Sequence, residues 1–236
     1  MFLPLGNTVG SLTPTQHAVL VGTLLGDGTL RKQGNNKLNA LLEVNHCYEF
    51  CEYVDWKYRC FQDYVLTPPK PRRGNGSRVA YRFTTRSLPV FTHYYRWFYP
   101  CGRRSIPNDL ALTPLSLAVW FMDDGSKSRN AWYLNTQQFS VSEQSRLRDL
   151  LLKTFGIVSA ANRDKHYFRI RINLASTRLM TEIIEPHLLP CFRYKLVDDP
   201  VTTDPKGESF HEEANTPTPV TSQPGNDPRD LPPATG

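Results

Sequence analysis

The sequence predicts an α+β chain made of two pseudo-symmetric halves, and four repeated features carry that expectation. Leu12-Thr13-Pro14 returns as Leu112-Thr113-Pro114. Each copy opens an apolar run that stops at an acid and a glycine: Leu20 to Gly28, ending Gly26-Asp27-Gly28, and Leu117 to Gly125, ending Asp123-Asp124-Gly125. Arginines alternate along a strand-like stretch once in each half, at Arg78, Arg82 and Arg86 and again at Arg169 and Arg171. Pro100-Cys101-x-Arg103 matches Pro190-Cys191-x-Arg193 at a spacing of 90 residues. Self-similarity of this kind marks a duplicated structural unit.

In the first half, Thr13 reads as an N-cap with Pro14 at the first helical position and Gln16 completing a capping box. Thr29 to Arg31 and Leu38 to Asn45 read as strands joined by a turn at Gln33-Gly34-Asn35-Asn36. Tyr48 to Val65 reads as an amphipathic helix that stops before Pro68-Pro69. Lys70 to Arg73 reads as a basic loop. In the strand from Arg78 to Arg86, period-2 alternation sets Arg78, Ala80, Arg82, Thr84 and Arg86 against Val79, Tyr81, Phe83 and Thr85. A helix from Leu88 to Phe98 follows.

The second half passes the same stations. These are a strand at Trp132 to Asn135, a helix from Ser142 to Phe155 closed by Gly156, and a strand at Ile157 to Asn162. The strand Tyr167 to Asn173 then sets Arg169 and Arg171 against Phe168, Ile170 and Ile172, and a helix runs from about Ser176 to Leu188. The halves divide as residues 1–106 and 107–197. Residues 198–236 hold eight prolines and one aromatic, Phe210, without apolar periodicity, and read as a disordered acidic tail.

The whole-chain charge of +6 conceals a strongly basic body. Eight acids and two cations follow Val197, a net of −6, which leaves +12 on residues 1–197. So basic a body, rich in arginine and aromatics, points to a polyanionic partner. Five cysteines without paired CxxC spacing point to reduced thiols inside a cell. His46, Cys47 and Cys51 form at most a partial zinc set, since no fourth ligand at suitable spacing follows. No run of apolar residues is long enough to span a bilayer, and the first 30 residues contain no Lys or Arg, so neither a secretory nor an organelle import sequence is expected.

The two acid-bearing helix ends are the chemical signal. A helix C-terminus already carries partial negative charge, so a carboxylate there is disfavoured by about 0.3–1 kcal/mol unless a cation lies against it. If the two apolar helices pack side by side, Gly22 and Gly26 supply a small-residue face for close approach, and Asp27 and Asp124 emerge together. Paired carboxylates repel unless divalent cations lie between them, and oxygen-rich sites with open water positions suit Mg²⁺. That chemistry is hydrolysis of a phosphodiester. Arg104 and Lys195, one from each half, are candidates to stabilise developing phosphate charge. Arginine strands laid into a major groove can read guanines and hold phosphates. Each part has a plainer reading, a turn for Asp-Gly and a solvated face for the arginines. All of them recurring twice in one order favours a site.

The two stretches resemble the signature of the LAGLIDADG homing endonucleases, in the single-chain form with two copies. The second copy with Ser126-Lys127, Leu134-Asn135-Thr136-Gln137, Ile106-Pro107-Asn108 and Tyr194-Lys195-Leu196 is most similar to the subgroup of the mitochondrial omega-intron endonuclease. The resemblance implies an αββαββα fold in each half and saddle-shaped antiparallel sheets gripping a long asymmetric double-stranded DNA site. It implies Mg²⁺-dependent cleavage, with Mn²⁺ or Ca²⁺ substituting for binding. The eighth motif position maps to Asp27 and Asp124 as metal ligands. The basic pair maps to Arg104, where relatives commonly carry Lys, and to Lys195. Implied DNA-binding residues are Arg72, Arg73, Arg78, Arg82, Arg86, Lys127, Arg169, Arg171 and Arg193, and the helix interface is Gly22, Gly26 and Ala118. Val119 and Asp123 stand where the family has small residues, so the packing is expected to be asymmetric or looser around the second helix. The expectation is a monomeric intron-homing nuclease, soluble, in a mitochondrion, plastid or bacterial cytoplasm. The alternatives are an RNA maturase that binds intron RNA and a catalytically silent DNA-binding protein.

Overall fold

The structure, a computed structural model, describes residues 11–34, 38–74, 78–128 and 131–196. The acidic tail expected to be disordered lies outside them.

Two motif helices form the centre, α1 (Pro14–Leu25) and α4 (Pro114–Asp124). Each opens as its sequence dictates: Thr13 and Gln16 make a reciprocal capping box, and Thr113 and Ser116 make another, with proline at the first helical position in both. Both helices are apolar almost all round because both are enclosed. Val19 to Leu25 and Leu117 to Met122 are buried throughout.

α1 and α4 pack against each other without a gap. A Cβ built on Gly22 would lie 2.6 Å from Val119 Cβ and 2.5 Å from the Ser116 carbonyl oxygen, and one built on Gly26 would lie 2.3 Å from Asp123 Cβ. The packing is asymmetric as expected, but it is not looser. The larger residues of α4 fill the space that the glycines of α1 leave, small against large. Ala118 is fully buried, yet the residues that meet the two glycines are Ser116, Val119 and Asp123.

Each half carries one four-stranded antiparallel sheet. The first, in the order β1-β2-β4-β3, comprises β1 (Thr29–Lys32), β2 (Ala40–Cys47), β3 (Lys70–Arg73) and β4 (Val79–Thr84). The second, in the order β5-β6-β8-β7, comprises β5 (Gly125–Ser128), β6 (Ala131–Leu134), β7 (Ser159–Asp164) and β8 (Tyr167–Ile172). Outer helices α2 (Cys51–Phe61), α3 (Pro89–Phe98), α5 (Val141–Phe155) and α6 (Leu174–Ile184) complete an αββαββα order in each half.

The departures from the sequence reading have local causes. Lys70–Arg73 is an edge strand and not a loop: it pairs with β4 from Lys70↔Arg82 to Arg73↔Val79, but all four residues are exposed, so no apolar alternation marks it. Pro71 is tolerated because an edge strand leaves one side of its backbone unpaired. β5 begins directly at Gly125 and went unread for the same want of apolar residues. The helix read over Tyr48 to Val65 is shorter, flanked by 3-10 turns at Tyr48–Phe50 and Gln62–Tyr64. α6 ends at Ile184, before Pro186, and a 3-10 turn follows. In β8 the alternation holds: Ile170 and Ile172 are buried and pair with the buried Leu134 and Trp132, so Arg169 and Arg171 lie on the other face.

The last segment of each half crosses to the other. Phe192, in the 3-10 turn Pro190–Lys195, stacks on Phe50 at 5.3 Å and meets Tyr53 edge-on at 4.8 Å. In return, Ile106 N–H donates to Glu143 Oε1 on α5 at 2.9 Å, and Arg146 donates to the Ile106 carbonyl and to Asn108.

Candidate active site and nucleic-acid interface

Asp27 and Asp124 leave the adjacent C-terminal ends of α1 and α4. Gln138 Nε2 reaches both ends, donating to the Leu25 carbonyl at 3.2 Å and to Asp124 Oδ2 at 3.4 Å. Both carboxyls carry the mark of uncompensated negative charge. Burial, and then repulsion from Asp27 and Asp123, push Asp124 up from 3.8 to about 7. Asp27 is raised first by burial and then by Asp123, against the pull of Lys57, Lys195 and Arg104. Its side chain is 49% exposed and opens into a pocket of about 290 Å³ lined also by Thr29, Glu43, Asn45, His46 and Arg78.

The cations required by the helix-end argument are present. Arg104 donates to the Gly26 carbonyl at 2.7 Å, to the Gly28 carbonyl, to Thr29 Oγ1 at 3.2 Å and to Tyr99 Oη at 3.1 Å. Lys195 Nζ donates to the Phe121 and Met122 carbonyls at 3.2 and 2.8 Å. Each half thus supplies a positive group to the carbonyl end of one motif helix, where the dipole is negative. Burial lowers the Lys195 ammonium to about 8, with Asp123, Asp124 and Asp27 opposing.

Asp123 is the residue that sequence reasoning did not place. Its side chain is fully buried and points into the first half. Lys57 Nζ on α2, equally buried, donates to both its oxygens at 2.8 and 3.0 Å, Tyr53 Oη donates to Oδ1 at 2.7 Å, and the Asp27 backbone N–H donates to Oδ2 at 3.3 Å. His46 lies between Asp27 and Asp123, and burial followed by the Lys57 charge holds its pKa down to about 4, so the ring is neutral at neutral pH. One oxygen of Asp27, one of Asp123 and a His46 nitrogen lie within 4.8 Å of one another. That trio is not where a divalent cation fits best, because the Lys57 ammonium already neutralises Asp123. Asp27 and Asp124 are the pair left without a full counter-charge, and hard carboxylate oxygens suit Mg²⁺.

The sheets present their cations unequally. In the first sheet, Arg82 shares a face with Asn45 and Lys70, and Arg72 with Cys47 and Ala80. Arg78, exposed, lines the Asp27 pocket. Arg73 is one residue out of phase with Arg72. Arg86 lies beyond β4 and donates to the Asp63 carbonyl at 2.9 Å, on the helical side. In the second sheet, Arg169 stacks over Tyr133 at 3.9 Å and donates to Asn135 Oδ1, with Arg171 beside it opposite Tyr133. Lys127 pairs in register with the buried Trp132 and so belongs to the opposite face. Arg193 is exposed in the turn that carries Lys195. The five cysteines are unpaired, and among the described residues none joins a metal-capable group. No described helix is long and apolar enough to cross a membrane.

Sign and window of one pH effect follow from the raised Asp124 carboxyl. Its folded-state pKa of about 7 lies above the reference 3.8, so the native protein holds an extra proton between those values and loses stability as pH rises through them. In metal-free buffer, the deficit in melting temperature of the wild type against Asp124→Asn is expected to grow from about pH 4 to about pH 7 and then level off. Thermal melts of both proteins across that range check it, and a flat difference would refute it.

Residues 17–180 match the family model described as the LAGLIDADG DNA endonuclease family. The chain is 29% identical over 203 residues to a probable intron-encoded endonuclease of Wickerhamomyces canadensis, covering 79% of this chain and 86% of that protein. It is 26% identical over 209 residues to the cytochrome b mRNA maturase bI2 of Saccharomyces cerevisiae, covering 81% of this chain but only 49% of the maturase, so it spans about half of that relative's length. Among solved structures, the homing endonuclease I-WcaI bound to its DNA recognition sequence superposes with a TM-score of 0.73 at 25% identity, covering 83% of this chain and 96% of that one. With two acid-bearing helix ends packed at the centre of two αββαββα halves, this chain belongs to the LAGLIDADG DNA endonuclease family.

Proposed function

We propose that the protein is a monomeric, site-specific endonuclease that cuts both strands of a long asymmetric DNA site. The observation that carries the reading is the convergence of Asp27 and Asp124, one from each pseudo-symmetric half, each helix end backed by a cation from its own half. Asp27 and Asp124 would hold Mg²⁺, which when bound would supply Lewis-acid stabilisation of the charge that develops at the scissile phosphate. Arg104 and Lys195 keep the helix ends in place and bring positive potential to the scissile phosphates. Arg72, Arg78, Arg82, Arg169 and Arg171 hold the duplex along the two sheets, and because the sheets differ in side chains, the site they read is asymmetric.

The test is incubation of the full chain with Mg²⁺ and plasmids carrying intronless alleles of candidate host genes. Linearisation of one allele at one position is expected, and failure to cut any allele counts against the reading. Similarity to a cytochrome b mRNA maturase favours a second reading, assistance to splicing of intron RNA. A splicing assay on the host intron with and without the protein separates the two.

A further inference from the structure

The two halves differ at one charged contact that the duplication does not explain. The buried stripe of α2 is Tyr53, Val54, Lys57 and Phe61, and that of α5 is Glu143, Gln144, Leu147 and Leu151. Each residue of the second stripe lies 90 positions after its counterpart, the same offset as the two Pro-Cys-x-Arg endings. Lys57 therefore corresponds to Leu147, and its partner Asp123 corresponds to Gly26. The contact of α2 in the first half with α4 in the second is a buried ion pair, where the pseudo-symmetric positions on α5 and just past α1 are Leu147 and Gly26.

A buried ion pair is a poor stabiliser compared with well-packed apolar side chains, so what this one touches is informative. Lys57 has three N–H donors, and they point at Asp123 Oδ1, Asp123 Oδ2 and His46 Nε2, at 2.8, 3.0 and 3.5 Å. An ammonium has no lone pair to offer, so His46 Nε2 is the acceptor and the ring proton sits on Nδ1, which faces Asp27 Oδ2 at 3.6 Å. Asp123 Oδ2 in turn accepts the Asp27 backbone N–H. Lys57 thus reaches Asp27 by hydrogen bonds through Asp123 to the Asp27 backbone N–H, and by proximity through His46, whose ring stands beside the Asp27 carboxylate. Among the described residues Asp124 has no such relay; the hydrogen bond given for its side chain comes from Gln138.

We propose that Lys57 is a positioning residue, acting through Asp123 and His46 to fix Asp27 and not Asp124, so that the half containing it controls cleavage of one DNA strand separately from the other. The inference rests on the nuclease reading. The two strands of a duplex are related by a two-fold, as are α1 and α4, so Asp27 and Asp124 attend opposite strands.

The test removes the pair as a unit. The variant Lys57→Met with Asp123→Ala leaves no buried charge and reproduces the apolar and small residues of the other half. On supercoiled plasmid bearing the target, it is expected to bind DNA within about threefold of wild type in Ca²⁺. The ratio of the two strand-cleavage rates is expected to shift at least tenfold, with nicked circles accumulating and every nick mapping to the strand attended by Asp124. Asp123→Asn with Lys57 kept retains the ammonium and an acceptor for the Asp27 N–H, and is expected to hold that ratio within about threefold of wild type. If the first variant does not fold, Lys57→Gln with Asp123→Ser keeps polar partners in the pocket and carries the same strand-bias expectation. Equal slowing of both strands, or none, in a folded variant that binds overturns the inference. Failure of both charge-free variants to fold also overturns it and assigns the pair to stability. Absence of cutting by the wild type sinks the nuclease reading itself.

Discussion

Asp27→Asn and Asp124→Asn are each expected to lower the rate of double-strand cleavage by roughly a thousandfold, corresponding to about 4 kcal/mol of lost charge stabilisation at the scissile phosphate. Asparagine keeps the size and one acceptor oxygen but removes the charge that draws Mg²⁺. Neither substitution disturbs the α1–α4 contact, because that contact is made by Gly22 and Gly26 against Ser116, Val119 and Asp123. Binding to target DNA in Ca²⁺ is therefore expected to stay within a few-fold, and Asp124→Asn is expected to melt at or above the wild-type temperature at pH 8, where it removes a buried carboxylate that the fold would rather keep protonated. Single-turnover cleavage with gel-shift binding on the same samples tests this. Near wild-type cutting by either variant would remove that acid from the metal site.

Lys57→Met alone is expected to be the most damaging single substitution for stability. It leaves Asp123 with a fully buried side chain and no cation. Breaking a buried pair from one side costs about 3–5 kcal/mol, and each kcal/mol lowers the melting temperature of a domain this size by about 2–4 °C, so a loss of roughly 10 °C is expected. Adding Asp123→Ala is expected to recover most of it, since removing both partners leaves no uncompensated charge. Melting curves of the two single variants and the double variant form a complete cycle. Additive losses would show that the two side chains do not stabilise one another.

Most of the scaffold was legible because duplication wrote each signal twice. The capping box of α1, the apolar runs, the inward Ile170 and Ile172 and the left-handed Gly156 after α5 (φ 72°) all follow from local patterns. β3 was missed because a strand exposed on both faces has no periodicity to read. Within the site, a cation against each helix end could be argued from the dipole alone, and Arg104 and Lys195 are found there. Lys57, Tyr53 and His46 could not be found this way. Lys57 sits at a core position of α2, where a lysine in sequence reads as a break in the apolar stripe, and only the approach of α4 from the other half supplies its partner. Asp123 was legible as an oddity at a small-residue position; that it points away from Asp124, into the first half, is set by the glycine opposite it.

The fit of Gly26 against Asp123 also bears on ancestry and on engineering by exchange of halves. A symmetric assembly of two second halves would set an aspartate against an aspartate, where a single Cβ on the facing residue already lies at 2.3 Å, and would offer Leu147 in place of Lys57 to neutralise either one. Two first halves would face glycine with glycine and bury two lysines with no acid to meet. Pairing either half with a copy of itself therefore costs a clash or an uncompensated buried charge, and a chimera that borrows one half from a relative is expected to need the matching residue at the seam. At this contact the two halves have become complementary and no longer equivalent.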